Sequence, residues 1–185
     1  MRAYIAVLSL ALVSAGPSAG PTIVPLSGMG DEALVIPAAS PVQFTGFAKE
    51  GTTAHFSGRF ELSGTFVYGC LMECTAPLEP DQLEAFVVPD QQFAALLPNW
   101  KVRGEVKRIY IWNGDDLASQ FLTAEERAAL LSGKIPDIRR YVAITVEDFA
   151  AGIECDSASY TARFVALARP PEIATAKLDG VSGCG

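Results

Sequence analysis

Three side chains of one short segment, Arg108, Tyr110 and Trp112, have types and a spacing suited to binding a ligand. They alternate with two isoleucines in the run EVKRIYIW, and successive side chains of a strand point to opposite faces. The isoleucines suit a core, which leaves one planar cation and two aromatic rings on the other face. Such a face stacks on sugars, bases or a partner's side chains. We therefore predict a ligand-binding or partner-binding face at these three residues.

A basic cluster leads into this face, in a chain that is acidic as a whole. The sequence has 14 basic and 21 acidic residues, for a net charge of −7. The local reversal of sign suits an anionic ligand or an acidic partner. The alternative is that the basic side chains form a solvated edge, and that the aromatic rings pack under the N-terminal segment or the tail. The cluster comprises Lys101, Arg103, Lys107 and Arg108, with Trp100 beside them.

Catalytic and cofactor patterns are weak throughout the chain. The single histidine, His55, shares a predicted outer strand face with Ser57, but a general base also needs an orienting group. Several acidic pairs occur, such as Asp115 with Asp116, yet nothing in the sequence sets two carboxylates across a cleft as glycosidases require. Phosphate-binding, nucleophile-elbow and zinc-protease motifs are missing. We therefore predict no catalytic residue, no metal site and no cofactor.

Four cysteines, Cys70, Cys74, Cys155 and Cys184, are predicted to form two disulfides, because an even number in an exported chain favours pairing. Pairing Cys70 with Cys74 and Cys155 with Cys184 would pin a tight loop and tie down the tail. The two rival pairings would link that loop to the C-terminal half. The spacing Cys-x-x-x-Cys differs from the redox motif, and a lone distant histidine argues against zinc.

Residues 1–15 have the three parts of a cleaved secretion signal. Arg2 is followed by the apolar run Ala3–Val13, and Val13–Ala15 supplies small residues for cleavage after Ala15. The apolar run is shorter than the roughly 20 residues that cross a membrane. We therefore expect a secreted or periplasmic protein with no membrane insertion after cleavage. Its acidity also predicts no nucleic-acid partner, since phosphate binding needs basic side chains.

Residues 16–41 hold five of the twelve prolines and show no periodic apolar pattern. This composition predicts a flexible lead-in, with one short extended piece at Ala33–Ile36. Residues 42–185 are predicted to form a single β-rich domain with an irregular C-terminal tail. The domain begins with a weak edge strand at Val42–Lys49.

The strongest pattern in the chain is Ala54–Tyr68. Small or apolar residues occupy every even position, and polar residues occupy nearly every odd one, which predicts a half-buried strand. Gly58 and Gly64 fall on the inner face. Glycine there relieves crowding and marks the bends that a coiled barrel strand requires.

Shorter strands and two helices are predicted after this long strand. Thr123 and Glu126 make a capping box, and Gly133 suits the end of that helix. Asp90 caps a brief helix, and Asn113–Asp116 predicts a turn. The predicted strands are Leu83–Val88, Glu105–Trp112, Tyr141–Glu147 and about 154–168, and the helices are Gln91–Leu97 and Ala124–Ser132.

This order of elements predicts a mainly β fold. It matches a small OB-like barrel of about five strands, with one helix between strands three and four and a curved first strand. Another small barrel or sandwich with one helix fits the same order. In an OB-like barrel the second and third strands form the binding face, and Arg108, Tyr110 and Trp112 lie on the third.

We therefore expect an exported, non-enzymatic binding module whose ligand is a carbohydrate or a protein partner. Two alternatives stay open. One is a secreted hydrolase whose carboxylates converge from separate segments. The other is a small exported inhibitor of another enzyme, which would present the loop between Cys70 and Cys74 because a rigid loop loses little entropy on binding.

Overall fold

A computed structural model describes residues 20–70, 77–154 and 157–173 of the chain. This part of the chain is mainly β, with one sheet of three strands and one of seven. The predicted secretion signal, Cys74, Cys155 and Cys184 lie outside the described residues. The strands are β1 (Thr22–Pro25), β2 (Ala33–Ile36), β3 (Gln43–Phe47), β4 (Thr53–Ser57), β5 (Phe60–Gly69), β6 (Glu84–Pro89), β7 (Asn99–Trp100), β8 (Ile109–Ile111), β9 (Asp137–Glu154) and β10 (Ser157–Ile173).

Helices are short and lie between the strands. A 3-10 helix (Pro80–Gln82) precedes β6, and α1 (Gln91–Ala94) follows it. Between β8 and β9 lie α2 (Gly114–Ser119) and α3 (Ala124–Leu131). The predicted capping box is present at α3, where the Glu126 N–H donates to the Thr123 hydroxyl at 3.1 Å.

The three-stranded sheet has the order β1-β2-β7, and both pairings are antiparallel. Its β2 has the bounds of the predicted extended piece. The strand β1 was not predicted, and it lies with β2 inside the segment 16–41 that was expected to be a flexible lead-in. Its Pro25 is tolerated because β1 is an edge strand, where a missing N–H costs no ladder bond. Leu34 of β2 lies opposite Trp100 of β7, and both side chains are fully buried.

The seven-stranded sheet has the order β10-β8-β6-β5-β9-β4-β3, and β10 also pairs with β9. These pairings link β5, β6, β8, β10 and β9 in a cycle. The pair β8–β10 is parallel, whereas the others in the cycle are antiparallel. One continuous hydrophobic core lies against these strands, and it includes Leu62, Phe66, Val87, Ile109 and Ile144.

The predicted long strand at 54–68 is broken into β4 and β5. Both segments pair with the same neighbour, β4 with 150–152 and β5 with 137–146 of β9. Gly58 lies at the break with a φ of +117°, a backbone conformation that L side chains rarely adopt. The predicted bend therefore occurs at Gly58, which lies between the end of β4 and the start of β5.

Several predicted bounds are wrong. The predicted helix Gln91–Leu97 is a single turn, and Asp90 makes no side-chain capping bond because its carboxylate accepts from the Tyr141 hydroxyl at 2.6 Å. The last two strands are longer than predicted. In particular, β10 passes through Pro170 and Pro171, where the register to β9 shifts, so the missing N–H groups fall at an irregular part of the ladder.

Candidate functional site

An open cleft of about 430 Å3 lies where the end of β8 meets the start of α2. Its other walls come from the 3-10 helix, the start of β6 and the end of β5. The side chains that line it are Tyr68, Pro80, Asp81, Leu83, Glu84, Ala85, Tyr110, Ile111, Trp112, Asn113, Gly114 and Asp115.

The predicted alternation along β8 is present. Ile109 and Ile111 are 0% and 3% exposed, whereas Trp112 is 66% exposed and Tyr110 is half-buried. The strand is shorter than the predicted Glu105–Trp112, since β8 spans only Ile109–Ile111. Two of the three predicted face residues, Tyr110 and Trp112, therefore line the cleft.

Arg108 does not line the cleft. It precedes β8, and its guanidinium carbon lies 5.2 Å from the centroid of the Tyr110 ring. Phe86 meets the same ring edge-on, with centroids 6.0 Å apart. Arg108 therefore acts on Tyr110 through a cation–π contact, and the most exposed aromatic surface of the cleft belongs to Trp112.

The backbone around Trp112 is fixed to β10. Its N–H donates to the Ala162 carbonyl at 3.3 Å. The next side chain, Asn113, donates to the Phe164 carbonyl at 3.0 Å and accepts from the Phe164 N–H at 2.8 Å. The amide of Asn113 thus continues the strand pairing where β8 ends. Three hydrogen bonds therefore join residues 112 and 113 to β10, and the indole of Trp112 extends from this paired segment.

The start of α2 packs closely on β6. A Cβ atom at Gly114 would lie 2.0 Å from the Cβ of Ala85, so this position has room for glycine alone. The sequence analysis predicted a turn at Asn113–Asp116, and the structure has the first turn of a helix there. Asp115 and Asp116 lie in that first turn, where acidic side chains complement the helix dipole.

The polar side chains of the cleft are mainly acceptors. Asp81 and Glu84 are exposed on one wall, and Asp115 on the other accepts a hydrogen bond from the Tyr68 hydroxyl. Burial of Tyr68, together with its bond to Asp115, raises the pKa of this phenol to about 12. The Tyr68 hydroxyl therefore stays protonated at neutral pH and is already engaged. Arg127 approaches Asp115 at 4.0 Å from outside the lining.

The predicted basic cluster is divided by the fold. Trp100 is completely buried, with its indole N–H donating to the Gly152 carbonyl at 3.0 Å. Arg103 pairs with the buried carboxylate of Glu32 at 3.2 Å, and the same carboxylate accepts from the Val102 N–H. Lys101 and Lys107 are exposed. The cluster therefore does not form one anion-binding surface.

Other candidate groups remain apart from the cleft. His55 and Ser57 are exposed on β4, as the alternation predicts. Within residues 20–70, 77–154 and 157–173, His, Cys, Asp and Glu side chains form no group of three that could hold a metal ion. In the same residues, no helix is long and apolar enough to cross a membrane.

Five polar residues of the cleft were not predicted to belong to one site: Tyr68, Asp81, Glu84, Asn113 and Asp115. Tyr68 and Asp115 are 47 positions apart, and the pattern around Tyr68 indicates only an inner-face residue. The one local signal was Asn113-Gly114, which marks the end of β8. No protein-family model, curated protein or solved structure matches this chain.

Proposed function

We propose that this chain is an exported binding module that holds a carbohydrate in the cleft beside Trp112. The observation that carries this proposal is an indole that is 66% exposed at the mouth of a cleft of about 430 Å3. Among the described residues, five large hydrophobic side chains are exposed, and Trp112 is the aromatic one. Flat aromatic rings stack on the apolar faces of sugars, and their exposure to water favours a ligand that covers them.

The composition of the cleft favours a sugar over an apolar ligand. Its walls combine aromatic rings with three carboxylates, which accept hydrogen bonds from hydroxyl groups. A saccharide offers both an apolar ring face and many hydroxyl donors. A protein partner remains the other ligand class that such a surface suits, and it is an outcome of the experiment below.

The pairing of the strands also supports this proposal, because it suits an OB-like barrel. The cycle β5, β6, β8, β10, β9 is closed by a parallel pair, β8–β10, and α3 lies between β8 and β9 in the chain. Read this way, β6 and β8 are the second and third barrel strands, whose face binds oligosaccharides or oligonucleotides in OB-folds. Glu84, Ala85, Tyr110 and Ile111 of the cleft belong to these two strands.

Export is part of the proposal, and it rests on residues 1–15 and on the four cysteines. Tagged protein expressed with residues 1–15 should be found outside the cytoplasm and should lack them by intact mass. Mass analysis of the unreduced protein should show two disulfides, and peptide mapping would identify the pairing. Retention of residues 1–15 in a cytoplasmic product would reject export.

The binding proposal is tested with a panel of immobilised oligosaccharides, followed by calorimetry on those that bind. We expect Trp112→Ala to weaken binding at least tenfold, about 1.4 kcal/mol, because the ring supplies the stacking surface. Val102→Ala is the matched control, since Val102 is 67% exposed and lies outside the cleft. It should leave the affinity unchanged.

Two results would overturn the carbohydrate proposal. One is that no saccharide binds the folded wild-type protein. The other is that the two variants bind saccharide equally, which would place the ligand elsewhere. Co-purification of one protein from the native compartment by wild-type but not Trp112→Ala protein, without saccharide binding, would assign the cleft to a protein partner.

A carboxylate-based hydrolase is the second candidate, because Asp81, Glu84 and Asp115 share the cleft. Glycosidases place an acid and a second carboxylate on either side of the scissile bond. All three side chains here are exposed, whereas a general acid is held in an apolar setting. Release of reducing ends from a bound saccharide by wild-type protein, lost in Asp115→Asn and in Glu84→Gln, would favour the hydrolase over the binder.

A further inference from the structure

We infer that the saccharide recognised by the cleft carries a free amino group, as in oligomers of glucosamine. This inference rests on the proposed function, since it names the ligand class for the same cleft. It depends on two features of the lining: the donors of Tyr68 and Asn113 are already used, and the charged side chains are of one sign.

Two of the donor side chains that line the cleft, Tyr68 and Asn113, are engaged within the protein. The Tyr68 hydroxyl donates to Asp115. The amide nitrogen of Asn113 donates to the Phe164 carbonyl and to Asp116 at 3.1 Å. An anionic ligand needs free donors, and these two groups have none to offer. A ligand that brings its own donors fits the cleft better.

The charges of the lining are all negative. Among the described residues that line the cleft, the charged ones are Asp81, Glu84 and Asp115. Asp115 is partly compensated by Arg127 at 4.0 Å. Neither Asp81 nor Glu84 forms an ion pair with any residue of the described parts of the chain. In a chain of net charge −7, these uncompensated carboxylates attract a cation.

The exposed indole of Trp112 adds an independent preference for a cation. The face of an indole attracts ammonium groups through its quadrupole, and it does so more strongly than a tyrosine or phenylalanine ring. Trp112 borders the same cleft as Glu84 and Asp81. An amino sugar satisfies both features together: its ring stacks on the indole, and its ammonium donates to the carboxylates.

The inference is tested by calorimetry with four tetrasaccharides, of which the three non-anionic ones share one backbone linkage. The probes are β-1,4-linked oligomers of glucosamine, of N-acetylglucosamine and of glucose, together with an oligogalacturonate as the anion. We expect the glucosamine oligomer to bind at least tenfold more tightly than the glucose oligomer, and the anion not to bind. The preference should fall as salt is added, because salt screens exposed charges.

Charge-removing variants locate the preference in the cleft. Glu84→Gln and Asp81→Asn keep the shape of the side chains, and each should lower the affinity for the glucosamine oligomer about threefold to tenfold while leaving that for the glucose oligomer unchanged. Glu61→Gln is the control, because it removes the same charge from an exposed position on β5 outside the cleft. It should leave both affinities unchanged.

The outcomes separate this inference from the proposed function. Equal affinity for the amine-bearing and neutral oligomers, or tighter binding of the N-acetylated or anionic oligomer, would overturn the inference and leave the carbohydrate proposal standing. If Glu84→Gln and Glu61→Gln lower the affinity for the glucosamine oligomer equally, the preference for an amine comes from the net charge of the chain and not from the cleft. That result would also overturn the inference. Binding of none of the four probes would overturn the inference, and the carbohydrate proposal would then be decided by the wider panel of oligosaccharides.

Discussion

The two tryptophans of the chain lie only twelve positions apart, but their surroundings are opposite. Trp100 belongs to the small three-stranded sheet, is fully buried and donates its indole N–H to Gly152. Trp112 follows β8 and leaves two-thirds of its surface open to water. The tryptophan of the small sheet is therefore part of the hydrophobic core, whereas the tryptophan at the cleft is exposed to solvent. Stability and ligand binding are expected to depend on different residues.

The largest expected difference between the regions is in core packing. Trp100→Ala should lower the free energy of unfolding by about 3–5 kcal/mol, because it leaves a large cavity and removes the indole hydrogen bond to the Gly152 carbonyl. Trp112→Ala should change it by less than about 0.5 kcal/mol, as exposed substitutions usually do. Urea denaturation of both variants measures this difference. Equal losses would mean that Trp112 packs against residues outside the described parts of the chain.

Ion pairs should show the next largest difference. Glu32→Ala removes a buried carboxylate that serves both Arg103 and the Val102 N–H. We expect a loss of about 2–3 kcal/mol, because both donors lose their partner in a mostly buried setting. In the cleft region, Arg127→Ala should cost less than about 0.5 kcal/mol, since Arg127 and Asp115 are 48% and 61% exposed.

The same urea measurements at neutral pH test this pair of variants. A double-mutant cycle that adds Arg103→Met to Glu32→Ala should recover part of the loss, since no buried charge then stays unpaired. A loss of under 0.5 kcal/mol for Glu32→Ala would show that the small sheet does not depend on this ion pair.

Each region also holds one tyrosine with a raised pKa. Burial raises the pKa of Tyr160 beside the small sheet, and of Tyr68 at the cleft, to about 12 from the ordinary 10.0. The neutral phenol is therefore favoured in the folded state, and the stability it adds is complete below pH 10. That contribution is lost as the pH rises through 12, by roughly 1–2 kcal/mol for each group.

Phenolate absorbance during a pH titration measures these values. Tyr68→Phe should remove one late transition and flatten the loss of stability above pH 10. Tyr160→Phe should remove the other. If Tyr68 ionises near pH 10 in the folded protein, its hydroxyl is free of Asp115 and the donor argument for the cleft weakens.

The sequence was most informative where a pattern is local. The capping box at Thr123 and Glu126 involves neighbours along the chain, so it could be identified without knowing the fold. The alternation of Ile109 and Ile111 with Tyr110 needs only the period of a strand. These two local patterns gave α3 and the predicted face of β8.

The cleft itself could not be predicted, because its walls come from distant segments. Glu84 and Asp115 reach the same cleft only through the pairing of β6 with β8 and the packing of α2 on β6. For Trp100 the sequence was misleading in the opposite direction, since it suggested a surface residue where the structure has a buried one. Its basic neighbours in the sequence suggested a surface, but pairing with β2 buries it. Both outcomes depend on which strands pair, which side-chain periodicity alone does not specify.

The smallest predicted effect concerns Asn113, the residue after Trp112, whose side chain bonds to β10. Asn113→Ala should lower the free energy of unfolding by about 1 kcal/mol, since two partly buried hydrogen bonds between the Asn113 side chain and the Phe164 backbone are lost. Asn113→Asp should keep the bond from the Phe164 N–H and lose the other, so its stability should be intermediate. Comparing the free energies of unfolding of the two variants separates the effect of changing the amide group, in Asn113→Asp, from that of removing the polar side chain, in Asn113→Ala.

The same variants test whether rigidity at this position matters for the cleft. Fluorescence anisotropy of Trp112, obtained by difference from a Trp112→Phe protein, should fall in Asn113→Ala, because only the bond from the Trp112 backbone N–H to the Ala162 carbonyl then joins this segment to β10. Affinity for saccharide should fall with it, by about threefold, since a mobile ring loses more entropy on binding. If stability falls while the anisotropy is unchanged, Asn113 stabilises the attachment to β10 but does not restrict the motion of the Trp112 ring.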